Sequence, residues 1–324
     1  MKARFANIQE MQQHSSAAPA IKDPNDPRAL RFAECQESML LLDGVDALSP
    51  EDLALLASSE AMCLFLDDYT TLDANTARAL AQFPGDRLYL GKLSEVSSDA
   101  LQELAAWKGQ WLYLDGLTAL DTDSAQALAA WKGSVLSLNG LRQIDTSLAQ
   151  SLATWPGYDL SLNALGTLNS ASAQALAQWK GTLLHLEGLV AIDAGTAEAL
   201  ASWKEGLQLH LNGLRSLDAA CAAAFAKWLG TQLHFRGLST LDAETATALS
   251  PWEGLYLTLD GLSTLDAATA AALATWKGQS LSLNGLRSLD QASVDALRLR
   301  QSKYLYVEGL DPTTAAALNL DSQP

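Results

Sequence analysis

Three histidines, His185, His210 and His234, recur at intervals of 25 and 24 residues, with Glu187 two positions after the first. Imidazole nitrogens and a carboxylate oxygen are ligands for zinc-class metals, and an imidazole changes its charge between about pH 5 and 8. Two aromatic groups follow a related spacing. Phe65, Tyr89, Trp111 and Tyr113 form the first, with Asp67 and Asp115 beside them, and Tyr256, Tyr304 and Tyr306 form the second. Aromatic side chains exposed together make protein-binding hot spots. No nucleophile elbow, phosphate-cradling glycine loop or metalloprotease helix occurs. The chemistry open to this chain is therefore coordination, proton uptake or recognition, and neither enzyme activity nor a cofactor is expected.

A glycine-leucine step recurring every 24 residues positions all of these side chains. It is clearest at Gly116-Leu117, Gly140-Leu141, Gly188-Leu189, Gly237-Leu238, Gly261-Leu262, Gly285-Leu286 and Gly309-Leu310. Gly213-Leu214 is displaced by one inserted residue near Glu205. About twelve such copies predict a stacked array in which each unit buries its apolar face against its neighbours.

Residues 107–130 illustrate one unit. Leu112-Tyr113-Leu114 alternates as a short strand with one buried face. Strands one repeat apart must run parallel, with right-handed crossovers. Gly116 lets the backbone turn, and Asp121 has the properties of a helix N-cap, as do Asp73, Asp145, Asp193, Asp218, Asp242, Asp266 and Asp290. A helix of about ten residues follows, burying Ala125, Leu128 and Ala129, with Gly133 suited to a left-handed C-terminal cap. Trp107, Trp131, Trp155, Trp179, Trp203, Trp228, Trp252 and Trp276 form a second column. They are read as wedges sealing the core, with a stacking platform for bases or sugars as the alternative.

The L-x-L strands, alanine-rich A-x-A-L-A helices and 24-residue period resemble those of leucine-rich-repeat proteins, bacterial variants with short helices in particular. The likeness covers roughly residues 38–310. It implies a right-handed βα solenoid with a parallel sheet on the concave face, short helices on the convex face, and protein recognition as the usual role. One departure is clear. The family's turn asparagine, three residues after the second strand leucine, is replaced here by Leu117, Leu141, Leu165, Leu189 and Leu214.

The net charge of −16 lies entirely in the array, which holds 32 acidic and 16 basic side chains against five of each in residues 1–37. That balance disfavours nucleic acid and suits a protein or peptide partner that is basic or bound through apolar contacts. Cys35, Cys63 and Cys221 are scattered and odd in number, which is read as three unpaired thiols in a reducing, cytoplasmic setting. No run of sequence is long and apolar enough for membrane insertion. Residues 1–27 read as a flexible tail, 28–37 as a capping helix, and 311–324 as a C-terminal cap and tail. A monomer is expected, with end-to-end association as the alternative.

The leading expectation is a non-enzymatic scaffold that grips its partner on the concave sheet, anchored by Phe65, Tyr89, Trp111, Tyr113 and Asp115. A narrower version is a bacterial effector translocated into a host cell without a cleaved signal peptide. Tyr256, Tyr304 and Tyr306 are a second candidate patch, and cross-strand packing is the competing reading of the aromatics. The alternative function is a metal- or pH-responsive module built on His185, His210, His234 and Glu187.

Overall fold

Three consecutive residues with an apolar centre suffice for a strand when both neighbours are the same segment one repeat away. The structure, a computed structural model, describes residues 2–3, 39–42, 45 and 47–318. Among them, twelve three-residue strands alternate with helices of six to eight residues. The tail and cap assigned to 1–27 and 28–37 lie outside the described residues, apart from Lys2–Ala3, which pair in parallel with Ala47–Leu48. Residues 319–324 of the C-terminal segment are also outside them.

The chain divides into two compact units, one of residues 1–141 and 154–160, the other of 142–153 and 161–324. Each is a right-handed βα solenoid. In the first, Met39–Leu41, Cys63–Phe65, Arg87–Tyr89, Trp111–Tyr113 and Val135–Ser137 pair in parallel, residue for residue. In the second, Leu183–His185, Gln208–His210, Gln232–His234, Tyr256–Thr258, Ser280–Ser282 and Tyr304–Tyr306 do the same. The inserted residue near Glu205 leaves this register intact, because it is taken up in the loop before Gln208.

The central leucine of each strand, such as Leu88, Leu112, Leu209 and Leu233, is fully buried against the helices. The helix stripe is as expected, with Ala125, Leu128 and Ala129 buried. The eight tryptophans of the second column are buried as well, and within the second unit each indole N–H from Trp203 to Trp276 donates to the tryptophan carbonyl one repeat earlier, at 2.8–3.2 Å. A polar group that needs a partner and an apolar body that needs burial are satisfied together.

Every cap aspartate named above accepts from a backbone amide of the helix it starts, as Asp121 does from Ser124 N–H at 2.7 Å. The helices are shorter than ten residues, since the chain turns inward to insert the tryptophan: Thr122–Ala129 spans eight. Gly133 is not a left-handed cap. The helix ends at Ala130 in right-handed geometry, and a Cβ on Gly133 would overlap the Trp131 ring.

The turn after each strand is held from an unexpected position. The residue directly after the second strand leucine is often Asp or Asn, and its side chain accepts from the backbone N–H of its counterpart one repeat later. Asp67 does so for Gly91, and Asp115 for Asn139, both at 3.0 Å. Asn163, Asn212, Asp260 and Asn284 do so for Glu187, Arg236, Asn284 and Glu308, at 2.9–3.2 Å. This ladder replaces the missing turn asparagine. It also explains the glycine that follows: a Cβ on Gly140 would strike the Asp115 and Leu117 carbonyls.

The reading of three unpaired thiols fails at Cys63, which is disulfide-bonded. Cys221 is a free, buried thiol, and Cys35 lies outside the described residues. Cysteine usage therefore no longer argues for a reducing compartment. No helix among the described residues is long and apolar enough to cross a membrane.

Candidate functional site

In each strand the first and third residues point away from the buried leucine, so they make up the sheet face. Parallel, in-register pairing then stacks chemically equivalent positions on one another at the strand spacing. What that face offers depends on which side chains are stacked.

In the first unit the third position carries Phe65, Tyr89 and Tyr113. Their rings lie nearly parallel, with centroids 4.0 and 4.3 Å apart. Phe65 and Tyr89 are fully buried in a cluster with Leu41 and Cys63, against which Met39 and Tyr113 pack. The expectation that Phe65 and Tyr89 are exposed is thereby corrected. Each ring covers the face of the next, and Leu41 lies beside Phe65 in register at the end of the column. Trp111 and Tyr113 stay half-buried, with the Arg87 guanidinium 4.2 Å from the Trp111 ring. The Asp115 carboxylate already accepts from Asn139 N–H and from the Ser137 hydroxyl.

In the second unit the same position carries His185, His210 and His234, paired in register. Their centroids are 4.4 and 4.3 Å apart, with tilted rings. All three are half-buried rather than exposed. His210 and His234 each keep a buried Nε2 without a hydrogen-bond partner, and Nδ1 of His234 lies 3.0 Å from the Thr258 hydroxyl. Burial, with the nearby His210 and Arg236, pushes His234 down to about 4.

Glu187 projects between the first two histidines. Its Oε1 is 4.0 Å from Nδ1 of His185 and 3.6 Å from Nδ1 of His210, and it accepts from the Asn212 side-chain amide at 2.9 Å. The imidazoles of His185 and His210 hold this carboxyl well below the usual carboxylate range, against the opposing effect of burial. Asn212, Asn163 and Thr258 were not anticipated as parts of this site. The only sequence signal for the two asparagines is the recurrent Asp or Asn after the strand, which marks the turn ladder rather than a ligand.

No protein-family model matches the sequence, and no curated protein does so either. Solved structures do. The leucine-rich-repeat-containing protein LegL7 from Legionella pneumophila superposes with a TM-score of 0.52 at 17% identity, over 79% of this chain and 96% of that one. The fold is that of the leucine-rich-repeat proteins. Weaker likenesses are to the Toll–Spatzle complex of Drosophila (TM-score 0.49, 12% identity, 76% of this chain and 36% of that one) and to the APL1 leucine-rich-repeat domain (0.48, 16%, 84% and 68%). The chain thus spans about a third of the length of the chain it matches in the Toll–Spatzle complex.

Among the described strand residues, the exposed aromatics are Tyr256 and Tyr306, both from the smaller group. Tyr256 and Tyr306 are 38% and 37% exposed, and Tyr304 is half-buried. Tyr256 and Tyr304 flank Ser280 at the first strand position, so a small side chain sits between two large ones.

Proposed function

We propose that this chain is a non-enzymatic recognition scaffold whose sheet face binds a protein or peptide segment carrying basic and apolar side chains. The observation that carries the reading is the exposure of the strand tyrosines Tyr256 and Tyr306, where Phe65 and Tyr89 are folded into the core. A tyrosine gives a large contact area at low entropic cost and a hydroxyl for hydrogen bonding. The acidic balance of the array favours a basic partner and speeds its approach. Trp111 and Tyr113, half-buried beside Arg87, are a lesser contact point in the same reading. The framework positions are occupied by leucines, tryptophans and cap aspartates, so recognition falls to the strand residues between them.

A photo-crosslinking residue at Tyr304 tests this directly. It should capture a partner that the same residue at Gln174, on a helix, does not. Alanine at Tyr256 and Tyr306 together should weaken that capture at least tenfold. Equal capture from both positions, or from the double variant, would remove the tyrosine face from the assignment.

A further inference from the structure

His185, Glu187 and His210 are brought together by register alone, and their separations are unusual. The Glu187 carboxylate lies 3.6 and 4.0 Å from the two Nδ1 atoms, beyond hydrogen-bond distance. Nor is there room for a water molecule between each pair, which would hold the outer atoms roughly 4.5 Å apart at ordinary hydrogen-bond lengths. Ligands sharing one tetrahedral zinc ion at bond lengths near 2.0–2.1 Å sit about 3.3 Å from one another. The three ligand atoms, all within 4.8 Å of each other, therefore bracket a gap of metal size that small side-chain rotations would close.

We propose that His185, Glu187 and His210 form a binding site for a zinc-class divalent cation on the sheet face of the second unit. Two imidazoles and one carboxylate are a borderline-soft donor set, suited to zinc or nickel and unsuited to magnesium or calcium, which take oxygen ligands. The surroundings hold the donors in place. The Glu187 backbone N–H donates to Asn163 Oδ1 at 3.1 Å, and the Asn212 amide donates to the Glu187 carboxylate. Such outer hydrogen bonds orient a metal ligand, and here the Asn212 amide holds the same oxygen, Oε1, that faces the two imidazoles. The histidines are anchored by strand pairing rather than by a loop, so the donors are arranged before a metal arrives. Three protein ligands leave the fourth position of a tetrahedral ion open, to water or to a donor side chain from outside, and the partly exposed Glu187 shows that the site is reached from solvent. His234, next in the column, is engaged with the Thr258 hydroxyl and is not a ligand in this assignment.

The test is calorimetric titration of zinc into the untagged, chelator-treated full-length chain carrying His14→Ala, so that the N-terminal histidine contributes nothing. One equivalent of zinc should bind, nickel should compete, and a large excess of magnesium should not. Cobalt in place of zinc should give the visible absorption of a tetrahedral site. His185→Ala with His210→Ala should abolish binding, Glu187→Gln should weaken it at least tenfold, and Asn212→Ala should weaken it about tenfold. His234→Ala should leave it unchanged. Circular dichroism of each variant separates loss of the site from loss of the fold, and because the histidines are only half-buried, the folded signal should persist. Absence of stoichiometric zinc binding by the parent chain would overturn the assignment. So would undiminished binding by a folded His185→Ala, His210→Ala double variant.

Discussion

One strand position yields opposite outcomes in the two units. Phe65 and Tyr89 stack face to face and are buried in an apolar cluster with half-buried Tyr113 packed on it, while His185, His210 and His234 stack at nearly the same spacing and all remain half-exposed. The strands pair in register in both places, so the ladder is the same and the side chains it stacks are different. Benzene-type rings gain by covering each other. Imidazoles carry two nitrogens that each need a partner, and here Nε2 of His210 and of His234 lacks one. A parallel ladder is therefore neutral hardware: it builds a core from one residue type and a potential ligand cluster from another.

The largest test of this contrast is truncation within the two columns. Tyr89→Ala empties a fully buried position and should cost about 3–4 kcal/mol of unfolding free energy, by analogy with buried aromatic deletions. His210→Ala removes a half-buried ring with an unpartnered nitrogen and should cost less than about 1 kcal/mol. Denaturant midpoints of the two variants measure both, and similar losses would erase the distinction.

A smaller effect is expected where the units are alike. Asp115→Ala and Asp260→Ala each remove the acceptor for a backbone N–H and a serine hydroxyl one repeat on. Each should cost about 1–2 kcal/mol. Comparable losses in the two units would confirm that the turn ladder is shared and that only the column chemistry differs.

The cap aspartates give the next test, through pH. Asp121 is held below its ordinary value of 3.8 chiefly by the Ser124 backbone N–H, and Asp218 by that of Cys221. With the folded value below the unfolded one, each adds stability that is complete above about pH 4 and is lost as the pH falls further. Asp121→Asn, following the natural cap Asn169, should keep the helix start while removing that carboxylate's share of the acid sensitivity. A pH-dependent melt of parent and variant reads this out, and identical acid curves would show that the caps do not set the acid limit.

The smallest expected effect is at Cys221, whose thiol is pushed up to about 12 by burial and by the neighbouring Asp218. It should resist alkylation at pH 8 in the native protein and react after unfolding, as mass spectrometry would record. Native modification would mean that the helix layer of the histidine-bearing unit opens, and with it the rigidity that presents the column.

Much of the fold was legible because its signals are periodic. The tryptophans, cap aspartates and strand leucines each recur at one place in the unit, and stacking identical units leaves a single burial pattern to infer. The turn ladder was missed because the family's asparagine was sought at the position of Leu117, while Asp115, two residues earlier, holds the turn. Buried hydroxyls were missed for a similar reason. Ser172, Thr196, Thr245, Thr269 and Ser293 each donate to a carbonyl 28 residues upstream, and Cys221 takes that place once, over Ile192. Small polar residues early in a helix read as solvent-facing unless the neighbouring repeat is known to lie over them.

Period and residue type, by themselves, determined the strand, the place of the turn, the helix N-cap and the tryptophan spine, since each depends on contacts that repeat along the chain. Tertiary structure alone decided which strand-face side chains are open. Phe65 and Tyr89 lie at the same repeat position as His185 and His210, and the pattern marks all four as facing away from the helices. Their burial depends on which residues pack around each ring, as Leu41 and Cys63 do in the cluster of Phe65 and Tyr89, and those contacts arise only when particular neighbours meet in space.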